Sequence, residues 1–246
     1  MGIEINCDMG EGFGLYRCGD DAGIMPHVTV ANVACGYHAS DPMVMRRTVR
    51  LAREHGVRVG AHPSFPDLQG FGRREMKMSR DELAACLIYQ IGALKGFLQA
   101  EGMPLNHVKP HGALYGLAAR DEQTAMAVAD AALVFGVPVM GMAGTMHERV
   151  YAARGLGFLA EYYVDLDYDA AGGLIITREH DARDPRAAAE GAVRAVRDGR
   201  ARAIDGTELA MRADCVCVHS DTPGAVGLAA AVRAALAPWI GAQAAR

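Results

Sequence analysis

Seven short apolar runs alternate with segments carrying helix start and stop signals, and this alternation constrains the fold more than any other feature of the chain. The runs fall at about 3–8, 28–34, 57–61, 106–109, 137–141, 157–161 and 214–219. Between them, Asp41-Pro42 and Asp184-Pro185 pair an N-cap with proline at the first helical position, and Thr222-Pro223 repeats the pattern. Ser79-Arg80-Asp81-Glu82 reads as a capping box ahead of Leu83, Leu87, Ile91, Leu94 and Leu98 at helical spacing. Gly56, Gly102, Gly136 and Gly199 mark helix ends, Pro238 closes the last helix, and the alanine-rich tail reads as its end. With no linker or composition break, the 246 residues predict one (β/α) barrel domain, 1–246. The expected form is a distorted or incomplete TIM-like barrel of seven or eight strands, and an open doubly wound sheet is the runner-up.

Five of the runs end in polar clusters: Asp8-Met9-Gly10-Glu11, Cys35-Gly36-Tyr37-His38, Ala61-His62-Pro63, Lys109-Pro110-His111-Gly112 and His219-Ser220-Asp221. Ligands of parallel α/β folds bind beyond the carboxyl ends of the strands, so these clusters are expected to meet on one surface. Asp8 and Glu11 place two carboxylates past the first strand, as acid and base or as metal ligands, although a loop Asp capping amides gives the same pattern. Asp8, His38 and His62 form a candidate divalent-metal triad, each from a separate element. Lys109 and His111 flank a rigid proline, one offering a fixed positive charge and the other a proton near neutral pH. His219 and Asp221 sit at the mouth of the last strand, where Asp221 or Thr222 could equally cap the helix that follows. Arg73 and Arg74, after Gly70-Phe71-Gly72, suit an anionic substrate. His27, His55, His107, His147 and His180 acquire no role.

Other classes recede. The net charge of −4 gives no case for nucleic acid, and no basic tract suggests an anionic membrane. No charged-then-apolar leader opens the chain, and no apolar run approaches the roughly 20 residues that cross a bilayer, so a cytoplasmic protein is expected. The six cysteines fit that compartment as free thiols. GxxxxGK[ST], GxGxxG and GxSxG are all absent.

Taken together, the motifs resemble the LamB/YcsF family, which includes the A-type component of 5-oxoprolinase. The matching segments are Asn6–Glu11, Ala31–His38, Gly60–Asp67, Gly70–Arg74, Gln90–Leu94 and His107–Tyr115, with the His219 cluster extending the match toward the C-terminus. The resemblance implies a barrel of the glycoside hydrolase/deacetylase shape and ATP-dependent opening of the lactam 5-oxoproline to glutamate. It also implies partner subunits B and C, which phosphorylate the lactam oxygen, while the A-type component adds water. On that scheme Asp8 or Glu11 activates water, Lys109 holds negative charge and His111 protonates the leaving nitrogen. His38, Arg73, Arg74, His219 and Asp221 would contact the substrate. The chain departs from the family after the sixth strand, where Glu161-Tyr162-Tyr163-Val164-Asp165-Leu166 replaces a usual Ala-Asp-Arg, and at Ser40 and Ser220, where glycine is usual. A less anionic lactam or cyclic amide would suit the lost arginine. A stand-alone metal-dependent deacetylase or amidase, with a divalent metal in place of ATP, and a non-catalytic regulatory subunit stay open, as does a homo-oligomer.

Overall fold

The computed structural model describes residues 2–176 and 181–241. In chain order the elements begin with β1 (Glu4–Met9), α1 (Asp21–Ile24), β2 (Val30–Ala34), α2 (Pro42–Glu54), β3 (Arg58–His62) and α3 (Arg80–Ala100). Next come β4 (Leu105–Val108), α4 (Gly112–Ala118), α5 (Glu122–Phe135), β5 (Val139–Gly141), α6 (Met146–Ala153) and β6 (Phe158–Tyr163). The last third adds the small strands β7 (Asp167–Tyr168) and β8 (Leu174–Ile175), then α7 (Pro185–Asp198), β9 (Arg200–Arg202) and β10 (Glu208–Ala210). It ends with β11 (Cys215–His219) and α8 (Ala225–Leu236). A short 3-10 turn, Met25–His27, precedes β2.

All seven expected strands join one closed barrel in the order β1-β2-β3-β4-β5-β6-β11, every pairing parallel. Closure falls to β1, which pairs with both β2 and β11, and this excludes the open doubly wound sheet. No eighth barrel strand occurs among the described residues; β7–β8 and β9–β10 are separate antiparallel ribbons.

Strand alternation divides the residues of β1 between two environments. Ile5, Cys7 and Met9 join the apolar layer between barrel and helices, whereas Asn6 and Asp8 bond to Asn32 across the barrel interior. One end of that interior is plugged by Val30, Met140 and Cys215, with Leu159 against them. Above the plug the lumen is polar and crowded. Gly60 leaves room for the His107 ring, which lies 2.0 Å from where a β-carbon on Gly60 would stand.

Helix boundaries follow the local signals in most places. Asp41 caps α2 through the amides of Met43 and Val44, and Asp184 caps α7 through Arg186 and Ala187. Ser79 and Glu82 form both halves of the capping box on α3. Gly136 and Gly199 take left-handed conformations that end α5 and α7. The last helix departs from expectation: α8 begins at Ala225 after a left-handed Gly224, without a side-chain cap, because the Thr222 hydroxyl instead donates to Asp165 at 3.2 Å. The tail from 242, expected as the end of this helix, lies outside the described residues, and so does His180.

The expectation of no long apolar segment also needs correction. At 21 residues α3 has the length and composition of a membrane span. Its stripe of Leu83, Leu87, Ile91, Leu94 and Leu98 is buried in the core, as in an amphipathic helix packed on a barrel. All six cysteines are free, and Cys7, Cys35, Cys215 and Cys217 are buried.

Because the His107 ring fills the space beside Gly60, Gly60→Ala forces a backbone or ring shift within the barrel. Overpacking of this kind costs about 1–3 kcal/mol, so urea unfolding of Gly60→Ala should show a loss in that range. A loss below about 0.5 kcal/mol, the scale of a surface substitution, would mean that the lumen is loosely packed there.

Candidate active site

β1 and β4 place the two opposite charges on which the site is built. Lys109, just past β4, reaches into the lumen and is almost fully buried. Its Nζ donates to Asp8 Oδ1 at 2.8 Å and to Cys217 Sγ at 3.0 Å, and it pairs with Glu161 Oε1 at 3.1 Å. Nζ also donates to Asn6 Oδ1 at 3.4 Å, so Asp8, Cys217 and Asn6 take its three hydrogens while Glu161 contributes charge. Burial opposes the charge on Lys109, but Asp8, Cys217 and Glu161 reverse that effect and raise its pKa well above the usual lysine value. Asp8 is the complement: burial would raise its pKa, while His62 and Lys109 bring it well below the usual carboxylate range.

Neutral groups complete the network. Asn32 Nδ2 donates to Asn6 Oδ1 at 2.7 Å and to Asp8 Oδ1 at 2.8 Å, and His107 Nε2 donates to Asn32 Oδ1 at 2.6 Å. Burial, with Lys109 adding to it, pushes His107 down to about 3, so its ring is neutral. The Tyr163 hydroxyl donates to Glu161 Oε2 at 2.8 Å, and the Lys109 ammonium lies 5.2 Å from the centre of the Tyr163 ring.

Asp8 Oδ2 faces two imidazoles. His62 Nε2 lies 3.2 Å away and His219 Nε2 3.6 Å away. His219 is held from behind by Asp165, which accepts from its Nδ1 at 2.8 Å and from its backbone amide at 2.7 Å. Burial disfavours the charged imidazolium, but Asp165 outweighs it and raises the His219 pKa above the ordinary value.

The remaining wall is a cluster of histidines. His38 Nε2 lies 3.0 Å from Glu11 Oε1, and His62 Nε2 lies 2.9 Å from His111 Nδ1. His62 Nδ1 faces the Lys109 carbonyl and His111 Nε2 faces the Phe71 carbonyl, each at 2.8 Å. Phe71 reaches that geometry at φ 55°, a left-handed conformation rare outside glycine. Gly72 permits the close approach of this loop, since a β-carbon there would stand 2.8 Å from the His111 ring. Burial keeps His38 and His111 neutral, with pKa values well below the ordinary one. Glu11, buried near Asp8 and Asp221, is raised well above the usual carboxylate range and is therefore protonated.

Asp8, His62, Arg73, Lys109, His111, Tyr163 and His219 surround a cavity of about 30 Å³, room for one or two waters. Leu166, Leu174 and Ile176 supply an apolar side. Arg73 pairs with Asp221 at 2.8 Å beside this cavity. Glu11 and His38 stand behind the histidines and do not line it. Arg74 is turned away from it and bound to Asp67. The Asp8–His38–His62 triad is rearranged: His38 and His62 cluster with Glu11 and His111, and Asp8 groups with Cys217 and His219. Sequence reading passes over Asn6, Asn32, His107, Glu161 and Asp165. Polar residues at alternate positions of apolar strands are the signal that marks Asn6 with Asp8, and Glu161 with Tyr163.

Two groups of atoms could hold a cation: Glu11, His38, His62 and His111, and separately Asp8, Cys217 and His219. Within each, the donor atoms lie within 4.8 Å of one another.

Comparison with known proteins agrees with this architecture across nearly the whole chain. The LamB/YcsF family profile matches residues 3–242. A Chloroflexus aggregans protein, named as the A component of 5-oxoprolinase, is 51% identical over 237 residues, covering 95% of this chain and 94% of its own. The Emericella nidulans protein named lactam utilization protein lamB is 46% identical over 224 residues, covering 89% and 88%. The crystal structure of a lactam utilization protein from Thermus thermophilus superposes with a TM-score of 0.90 at 46% identity, covering 97% of each chain. The seven-stranded barrel, the motif order and these matches place the chain in the LamB/YcsF family.

Proposed function

We propose that the chain, a single (β/α) barrel domain, is the lactam-opening subunit of an ATP-dependent 5-oxoprolinase. The observation that carries this reading is the nearly full-length likeness to relatives named as the A component of 5-oxoprolinase, at 51% and 49% identity for two of them. The cavity supports it, because an ionised Asp8, a buried cation and an imidazole whose pKa Asp165 raises converge there.

A lactam is a resonance-stabilised amide, so water adds to it slowly unless the carbonyl oxygen is activated. In the proposed sequence, partner subunits B and C transfer the terminal phosphoryl group of ATP to that oxygen. Water then adds to the carbonyl carbon, the C–N bond breaks, and the ring nitrogen takes a proton. The resulting acyl phosphate is hydrolysed by a second water, giving glutamate and phosphate. The absence of a GxxxxGK[ST] loop from this chain is consistent with ATP being handled by its partners.

Within this scheme Asp8 Oδ2 holds the attacking water, and His219 donates the proton to the leaving nitrogen. This role passes to His219 rather than His111, because His219 is the imidazole whose pKa is raised and which Asp165 orients. Lys109 is a positioning residue: with its three donors taken by Asp8, Asn6 and Cys217, it fixes Asp8 and contributes a positive field beside the developing negative charge. Arg73 is the better candidate for a substrate carboxylate than Arg74, since it borders the cavity. A cytoplasmic location follows from the same reading, since the reaction consumes ATP.

Glutamate release from 5-oxoproline and ATP tests the reading, with the chain alone compared with the chain plus subunits B and C. Release only in the mixture is expected. Release by the chain alone without ATP would favour a stand-alone amidase, and none with competent partners would remove 5-oxoproline as the substrate. In the active mixture, kcat should fall as pH rises through the elevated His219 pKa, because the donor loses its proton. His219 faces Asp165, Asp8 and Lys109. His219→Gln should lower kcat by roughly 10²–10⁴-fold and abolish that alkaline limb; an unchanged limb would assign the proton donor elsewhere. Separately, Lys109→Met leaves Asp8 and Glu161 without their shared cation and should destabilise the isolated chain by about 3–5 kcal/mol in urea unfolding. A loss below about 1 kcal/mol would show that the ion cluster is not what holds the lumen together.

A further inference from the structure

The histidine wall contains a conflict of lone pairs. The Lys109 and Phe71 carbonyls can only accept, so His62 Nδ1 and His111 Nε2, each 2.8 Å from one of them, carry hydrogens. In a neutral imidazole the other nitrogen is then a bare acceptor. Those two acceptors, His62 Nε2 and His111 Nδ1, face each other at 2.9 Å. Glu11 Oε1 adds a third electron-rich atom, 3.3 Å from His111 Nδ1 and 3.9 Å from His62 Nε2. Something positive must lie among them.

We propose that Glu11, His62 and His111 form a divalent-cation site with an open position toward the cavity. With ligand bonds of about 2.0–2.2 Å, a tetrahedral ion separates its ligand atoms by roughly 3.3–3.6 Å, close to the spacing here. The His62 and His111 rings are perpendicular, at 88°, so their in-plane lone pairs can aim at one point. Each ring donates its far N–H to a backbone carbonyl, the outer-shell arrangement that fixes the tautomer of a ligating histidine. Both rings also border the cavity, whereas Glu11 anchors the site from behind. Two imidazoles and one carboxylate suit zinc or another first-row divalent ion.

His38 is close but is excluded as a ligand in this arrangement. Its ring is stacked on His111 at 3.8 Å and 8°, and one ion cannot lie in the planes of two stacked rings. It serves instead as a donor to Glu11 Oε1, at 3.0 Å. Without the ion, two protons satisfy the same atoms. They lie among His62 Nε2, His111 Nδ1, Asp8 Oδ2 and Glu11 Oε1. A divalent cation replaces both protons at equal charge. The inference rests on this geometry alone and does not depend on lactam opening.

Cobalt(II) titration of the full, chelator-treated chain tests it, followed by calorimetry and visible absorption, with zinc as a competitor. One equivalent should bind, with the intense d–d absorption of a four- or five-coordinate ion and no thiolate charge-transfer band. His62→Gln and His111→Gln, shown to be folded by circular dichroism, should each weaken binding at least 100-fold, and His38→Gln by about 10–100-fold. Cys217→Ser should bind as the parent does. Absence of stoichiometric binding by the parent chain would overturn the proposal and leave the wall held by protons. A thiolate band, or binding lost only in Cys217→Ser, would overturn it in favour of the Asp8–Cys217–His219 group. Because the parent spectrum alone separates these outcomes, a variant that fails to fold does not obscure the result.

Discussion

A fully buried ammonium is the constraint on which the rest of the site depends. Removing Lys109 from water costs several kcal/mol, and the lumen offsets this only by surrounding Nζ with Asp8, Glu161 and Cys217 at 2.8–3.1 Å. Each of those partners then needs its own support. Asn32 and His107 steady Asp8 from one side, and Tyr163 steadies Glu161 from the other. The interior of the barrel is therefore polar where a TIM barrel is ordinarily packed with branched apolar side chains, and the apolar plug is confined to one end. A pure scaffold gains little from such an arrangement, because replacing a buried ion pair by well-packed apolar residues is often neutral or stabilising.

The two histidine environments show how one lumen can separate acid from neutral chemistry. His219 has a carboxylate behind it that raises its pKa, while burial, together with neighbouring imidazoles, lowers those of His38 and His111. Glu11 stands on the neutral side and is protonated, although only two residues separate it from the ionised Asp8. Divergent protonation of like groups at close quarters is how an active site assigns its donors and acceptors.

Much of this is legible in the sequence, and the parts that are not have physical reasons. The seven strands follow from apolar runs, and most helix ends follow from their caps, because both are local signals. The polar clusters at strand ends do mark one site: Asp8, His38, His62, Lys109, His111 and His219 come together. What local reading cannot supply is direction. Arg73 and Arg74 are adjacent, yet one borders the cavity and the other is bound by Asp67. Thr222 has every attribute of a helix cap, but Asp165, 57 residues earlier, claims its hydroxyl. The interior residues Asn6, Asn32, His107 and Glu161 lie within strands, where isolated polar positions look unremarkable until barrel closure makes them neighbours.

The central claim is that Lys109 is a permanent cation that fixes an ionised Asp8, and not a neutral lysine available as a base. Heteronuclear NMR of chain labelled at the lysine side-chain carbon and nitrogen, with Lys109→Met to assign the signal, measures this directly. The account predicts that Nζ keeps all three hydrogens at every pH at which the chain is folded, with its resonance unchanged through the neutral range. Loss of a proton from Nζ near neutral pH would contradict it.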